Sequence, residues 1–318
     1  MVILENTPTP ITKLNIPGNR FFIKREDLLP FSCGGNKVRI AHEFLADMKS
    51  KGGNCLIMYG NSRSNLCRVL ANACYMESIP CMMICSDDPD GVHRKTGNSV
   101  LVDLLGLEII YCQKSAIAPA VDEAMRRASA RGLTPYYIYG NRLGTGNEGC
   151  AARAYAKAYD EICAQEETMG VHFDYIFHAS GTGATQSGLV CGHLVRGDER
   201  IIVGISVSRD KKRGTDIIKS GVAQWFSDEG KSLPPSFTEE ILLADDYLAG
   251  GYGEYNEEIL ETIRAEWRND GICLDPAYTG KAFYGMLSYL RENNIKDKNI
   301  LFIHTGGTPL FYDALELL

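Results

Sequence analysis

The sequence predicts an α/β protein built on two mostly parallel sheets covered by helices. Three observations carry that expectation. Short apolar runs rich in strand-forming residues alternate with longer segments of helical period, the pattern of parallel strands buried on both faces. A chain of 318 residues has room for two such sheets. Its composition, 45% hydrophobic and 23% charged, is that of a globular chain rather than a disordered or fibrous one.

Residues 54–60 (NCLIMYG), 80–86 (PCMMICS) and 107–112 (LEIIYC) read as three buried strands. Between the first two, a helix over 64–76 places Leu66, Val69, Leu70, Ala73 and Tyr75 near one stripe. A helix rich in Ala, Tyr and Lys over 147–164 precedes a fourth strand, 174–180 (DYIFHAS). A glycine turn and a helix over 185–195 follow, then a fifth strand, 200–207 (RIIVGISV). Amphipathic helices over 255–269 and 281–292 lead to the last strand, 299–306 (NILFIHTG). Ligands are expected beyond the C-terminal ends of such strands.

The charge balance excludes one class of partner. Lys+Arg 33 against Asp+Glu 40 gives a net charge of −7 scattered along the chain, not the one-sided basic excess that nucleic acid requires. No apolar run approaches the roughly 18 residues needed to span a bilayer. The opening MVILENTPTPITKL lacks a basic region followed by a long apolar stretch, so no secretory signal is expected. Eleven cysteines, an odd number with no CxxC pair, do not read as a disulfide framework. Cys81 and Cys85 lie in an apolar strand as small hydrophobes, no metal site is expected, and the expected compartment is a reducing cytoplasm.

Four segments carry candidate chemistry. Ser180-Gly181-Thr182-Gly183-Ala184-Thr185 joins a strand to a helix, so small residues let backbone N–H groups converge at a helix N-terminus, where a phosphate is favoured. A nucleotide P-loop would need GxxxxGK[ST], and a dinucleotide fingerprint would need glycine where Gln186 stands, so a lone phosphate fits best. Gly34-Gly35-Asn36-Lys37 allows a sharp turn that aims the Lys37 amine inward; desolvation would keep such an amine deprotonated and nucleophilic. Gly60-Asn61-Ser62-Arg63-Ser64-Asn65 places hydroxyls and amides at a helix start, either as caps or as ligand contacts. Gly251-Tyr252-Gly253, Asp275-Pro276-Ala277-Tyr278-Thr279-Gly280-Lys281 and His304-Thr305-Gly306-Gly307 put polar residues in glycine-rich turns near the C-terminus. There Lys281 reads as structural, and His178 and His304, each ending an apolar strand, fit satisfied core histidines.

In this order, TPxxxL (9–14), KREDL (24–28), GGNKVR (34–39), the Ser64-Asn65 pair, SGTGAT, GYG, DPxYTGKA and HTGG, the segments resemble the D-cysteine desulfhydrase and ACC deaminase family of fold-type II pyridoxal-phosphate enzymes, within the tryptophan synthase β-like superfamily. The resemblance runs nearly end to end. It implies two α/β domains, the larger from residues 1–46 and 152–318 and the smaller from 47–151, with pyridoxal 5′-phosphate in the cleft between them. It further implies that Lys37 forms the Schiff base and serves as the α-proton base. Gly181, Thr182, Gly183, Ala184 and Thr185 would hold the cofactor phosphate, Asn65 would contact its ring, and Ser64 would approach the substrate carboxylate or assist proton transfer. Tyr252 and Tyr278 would line the substrate side. The family implies a small amino-acid substrate and a homodimer.

Two positions separate the siblings. ACC deaminases carry Glu, close to the pyridine nitrogen, where this chain has Thr279, and Leu where it has Thr305; desulfhydrases carry small hydroxyl residues at both. A neutral hydroxyl does not enforce protonation of the ring nitrogen, which weakens the ring as an electron sink and favours prompt loss of a β-substituent. The expected activity is therefore α,β-elimination of the D-cysteine desulfhydrase type, giving a 2-keto acid, ammonia and the leaving group. The alternatives are ACC-, cysteate- or diamino-acid-type deamination, β-replacement without the usual TSGNTG loop, and a cofactor-binding descendant without turnover. A nucleotide-dependent oxidoreductase, with Ser208 and Arg209 near a ribose phosphate, is disfavoured by Gln186. Departures from the family are Leu66 after the Ser-Asn pair, Cys33 before GGNK, Ile40-Ala41-His42-Glu43 in place of Lys-Leu-Glu, and the altered run Tyr139-Gly140-Asn141-Arg142-Leu143-Gly144.

Overall fold

A computed structural model describes residues 8–318. Residues 1–7, assigned above to the larger domain, lie outside the described residues. Two sheets organise the chain, as expected. The smaller is wholly parallel, with β3 (Cys55–Gly60), β4 (Cys81–Ser86), β5 (Glu108–Cys112) and β6 (Pro135–Tyr137) in the order β5-β4-β3-β6. The larger has β1 (Ile11–Lys13), β2 (Arg20–Arg25), β7 (Tyr175–Ser180), β8 (Ile201–Ser206), β9 (Leu242–Ala244) and β10 (Asn299–His304) in the order β1-β2-β10-β7-β8-β9. Only the β1–β2 pair in it is antiparallel.

All six expected strands are present, and four are added: β1, β2, β6 and β9. β2 was hidden because its end, Lys24-Arg25, reads as a charged run; in the fold Arg25 pairs with Asp27 and Lys24 is buried in a network. The Lys24 amine donates to Glu161, Arg39 bridges Glu26 and Glu161, and the Tyr155 hydroxyl reaches Glu26 at 3.0 Å. The network ties β2 to α1 (Lys37–Ser50) and α5 (Glu148–Met169).

The expected helices appear as α2 (Asn65–Met76), α5, α6 (Ala184–Arg196), α8 (Glu257–Asp270) and α9 (Thr279–Glu292). They are joined by α3 (Gly97–Asp103), α4 (Ile117–Ala130), α7 (Lys211–Asp228) and α10 (Thr308–Asp313). The boundaries expected at 46/47 and 151/152 fall inside α1 and α5. One apolar cluster runs through these helices from Leu56, Met58 and Met83 of the smaller sheet to Ile176 and Leu301 of the larger. A second cluster, with Phe177, Val203, Phe283 and Phe302, lies beneath α8 and α9 on the other face of the large sheet.

α6 crosses α5 closely because it turns two glycines toward it. A Cβ at Gly188 would stand 2.3 Å from the Ala152 carbonyl oxygen, and one at Gly192 would stand 2.5 Å from the Tyr159 Cβ. That contact fixes where the N-terminus of α6 opens.

Candidate active site

The C-terminal ends of β3, β7 and β10 deliver their loops to one cleft between the sheets. Lys37 reaches it through an interlock of two glycine pairs. A Cβ on Gly34 would lie 2.0 Å from the Asp27 carbonyl oxygen, and one on Gly306 would lie 2.6 Å from the Gly35 Cα. The Asn36 N–H then donates to the Thr305 carbonyl at 3.0 Å, and the Asn36 side chain donates to Thr185 Oγ1 at 2.9 Å. Lys37 is thereby anchored on one side to the loop after β10 and on the other to the glycine loop before α6. Its amine has no hydrogen bond or carboxylate among the described residues, and burial lowers it to about 8.

Beside it, the N–H groups of residues 181–185 have no acceptor among the described residues, and they cluster at the start of the 13-residue helix α6. Gln186, the residue that breaks the dinucleotide pattern, has a structural task. Its side chain occupies the space over Gly204, accepts from Ser180 Oγ at 2.9 Å and donates to the Leu242 carbonyl at 2.6 Å.

Ser64 and Asn65 start α2. Ser64 Oγ caps the helix by accepting from the Cys67 N–H at 3.1 Å, which leaves its own proton free to donate. Asn65 Oδ1 accepts from Arg68 at 2.7 Å and from Asn98 at 3.0 Å; its amide donors are unspent among the described residues. Arg68, buried, also donates to the Gly34 carbonyl at 3.2 Å, so it links Asn65 to the Lys37 turn. Sequence reasoning missed Arg68; its place one turn beyond Asn65 was the only signal.

Tyr252 and Tyr278 meet with hydroxyls 2.5 Å apart, and the Tyr252 hydroxyl also reaches Asn61 Oδ1 at 3.3 Å. Burial pushes Tyr252 up to about 12 and Tyr278 well above the ordinary phenol range, so both stay protonated. Lys281 is fully buried, which its sequence did not signal. It is structural as expected: its amine donates to the Leu248 and Gly251 carbonyls at 2.8 and 2.7 Å, fixing the loop that carries Tyr252.

Thr279 is fully buried and hydrogen-bonded to Asp275. Its hydroxyl donates to Asp275 Oδ2 at 2.8 Å and accepts from the Asp275 N–H at 2.9 Å. Asp275 spends its remaining capacity on the N–H groups of Ala277, Tyr278 and Thr279; burial pushes its carboxyl up to about 6. Thr305 contributes its carbonyl to the Lys37 turn. Of the two strand-end histidines, His304 is satisfied, contacting the Cys273 carbonyl at 2.9 Å and accepting from the Gly306 N–H at 3.2 Å. His178 is not: Nδ1 contacts the Ala179 carbonyl at 3.1 Å, and buried Nε2 has no partner among the described residues. Burial, with the nearby Lys37 charge, lowers it to about 4 and keeps it neutral.

The sequence model of the pyridoxal-phosphate dependent enzymes matches residues 2–306. The chain belongs to that family. Among solved structures, this pyridoxal-phosphate dependent enzyme is similar to an ACC deaminase homologue at 29% identity and TM-score 0.84, over 98% of this chain and 94% of the other. It shares its fold with a hydrogen sulfide-producing enzyme from Fusobacterium nucleatum (18% identity, TM-score 0.65, 94% of each chain). An O-ureido-L-serine synthase also shares it (16%, TM-score 0.67, 96% of this chain and 93% of that one). The cleft fits the family's cofactor. A free amine can take the aldehyde, unspent N–H groups at a helix start can take the phosphate, and the open amide of Asn65 can take a ring substituent.

Proposed function

We propose that this enzyme performs α,β-elimination on a small amino acid with a β-leaving group, in the manner of a D-cysteine desulfhydrase, releasing a 2-keto acid and ammonia. The observation that carries the reading is the Lys37 amine, which faces no anion among the described residues and is lowered to about 8 by desolvation, on a turn tied by Asn36 to the glycine loop and through Arg68 to Asn65. Lys37 would hold pyridoxal phosphate covalently, residues 181–185 its phosphate, and Asn65 its ring. The bound cofactor supplies an electron sink for the carbanion formed at Cα. Lys37 Nζ would be the base that removes the Cα proton. Ser64 and the open start of α2 would orient the substrate carboxylate, and the Tyr252–Tyr278 pair would line the side of the departing group.

The choice of elimination rests on Thr279. The resemblance puts this position by the ring nitrogen, and the carboxylate bonded to it among the described residues, Asp275, has its oxygens taken by residues 277–279. A ring nitrogen facing no free carboxylate is not held protonated, which suits loss of a good leaving group better than ring opening. The likeness to the ACC deaminase homologue favours ring-opening deamination as the second reading. The domain division, the homodimer and the cytoplasmic location belong to the same proposal.

A panel of D- and L-amino acids with β-leaving groups, beside the cyclopropane amino acid ACC, tests it by keto-acid release. Turnover of β-substituted substrates alone supports elimination; turnover of ACC alone overturns it. In Thr279→Glu with Thr305→Leu, elimination should fall at least about tenfold, as expected when a transition-state interaction is lost. Unchanged elimination would remove the basis for the choice.

A further inference from the structure

Arg209 is a charge without a counter-charge, placed at the loop expected to take an anion. It follows β8, and its backbone is pinned by Ser206: Ser206 Oγ donates to the Arg209 carbonyl at 2.6 Å and accepts from its N–H at 3.2 Å. From this fixed root the half-buried guanidinium donates to the carbonyl of Gly181, the first residue of the glycine loop. Arg209 lines the same narrow crevice as Ser180, Gly181, Thr182 and Gly183. Arg63 meets Asp88, Arg39 meets Glu26 and Arg200 meets Glu166, while buried Arg68 donates to Asn65, Asn98 and the Gly34 carbonyl. Arg209 meets no carboxylate among the described residues, and the only cation bearing on it is Arg213. Its charge also bears on Tyr59 and Tyr139, at the C-terminal edge of the smaller sheet. An enclosed guanidinium with one neutral acceptor has donors to spare, and desolvation makes it costly to leave unpaired.

We propose that Arg209 is a direct ligand of the cofactor phosphate, supplying the positive charge that the backbone N–H groups of residues 181–185 lack. The inference rests on the reading that pyridoxal phosphate occupies this cleft. It gives the chain a charged phosphate contact where the glycine loop alone offers only dipoles, and a guanidinium suits a phosphate by geometry as well as by charge.

The test compares two vitamers on the full chain stripped of cofactor. Pyridoxal 5′-phosphate and pyridoxal share the aldehyde and ring and differ in the phosphate. In Arg209→Gln, which keeps a neutral donor for the Gly181 carbonyl, affinity for pyridoxal 5′-phosphate should fall about 10- to 100-fold, the usual worth of a charge-assisted hydrogen bond. Affinity for pyridoxal should not change. Arg209→Lys should recover part of the loss, and inorganic phosphate should compete more weakly against the Gln variant than against the wild type. The readout is the ratio of the two affinities, which a general weakening of the fold does not move. Equal losses for both vitamers would show that Arg209 only braces the loop, and no loss for either would remove it from the site; both overturn the proposal. Wild-type protein that takes neither vitamer overturns the cofactor reading itself, an outcome separable from the failure of Arg209 alone.

Discussion

At the residue scale, Lys37 has the clearest thermodynamic signature. Its amine is lowered from the ordinary lysine value of 10.5 to about 8, so between these values the unfolded chain holds a proton that the folded chain has lost. Stability of the cofactor-free protein therefore rises with pH across that window, and the full cost of the buried ammonium is present below about pH 8. Lys37→Met keeps the aliphatic bulk and removes the charge. It should stabilise the cofactor-free protein by about 1–3 kcal/mol at neutral pH, a gain that fades above the window, as denaturant titrations at several pH values would reveal. A destabilised Met variant would contradict the assigned environment. The same group sets the pH of cofactor capture: in wild type the rate should climb as pH rises through about 8 and then level, and borohydride should trap the cofactor on this residue alone. Lys37 was legible in the sequence because two glycines precede it. Its freedom from any anion was not, since that depends on which side chains the fold turns toward it and which, like Glu26 and Asp27, it pairs elsewhere.

At the element scale, the site depends on where helices begin. The start of α6 presents its open N–H groups to the cleft only while the helix lies close on α5, and Gly188 permits that approach. Gly188→Ala places a methyl group 2.3 Å from the Ala152 carbonyl oxygen. It should cost about 1–3 kcal/mol of unfolding free energy by overpacking. It should also weaken binding of both vitamers, by contrast with Arg209→Gln; calorimetry with the same titrations measures both. Strands with continuous apolar runs were readable, and those with mixed character were not. β9 has three residues, and β2 ends in charges that Glu161 on α5 and Asp27 just beyond the strand neutralise. The Ser64-Asn65 pair was visible as a helix start, but its alternatives, cap or ligand contact, prove compatible: Ser64 accepts from the helix with a lone pair and keeps its proton. Thr279 was visible as a neutral residue, whereas its bond to Asp275 emerges only when residues 275–279 fold into a turn.

At the scale of the whole molecule, the two sheets share one apolar cluster through α1 and α5, and cleft residues come from both. The chain should unfold in a single transition. Pyridoxal phosphate at a hundredfold excess over its dissociation constant should raise stability by about 2.7 kcal/mol without splitting that transition. Two separate calorimetric peaks would show that the halves melt independently. No helix among the described residues is long and apolar enough to cross a membrane. The interlock of Gly34-Gly35 with Thr305-Gly306 has a consequence in time. The strand that delivers residue 305 sits in the middle of its sheet, yet it is made long after the lysine turn that it completes. A nascent chain stalled before residue 299 would expose its lysine without the carbonyl that seats the preceding amide. The lysine turn is thus complete only once residues 299–306 have been made and folded against it.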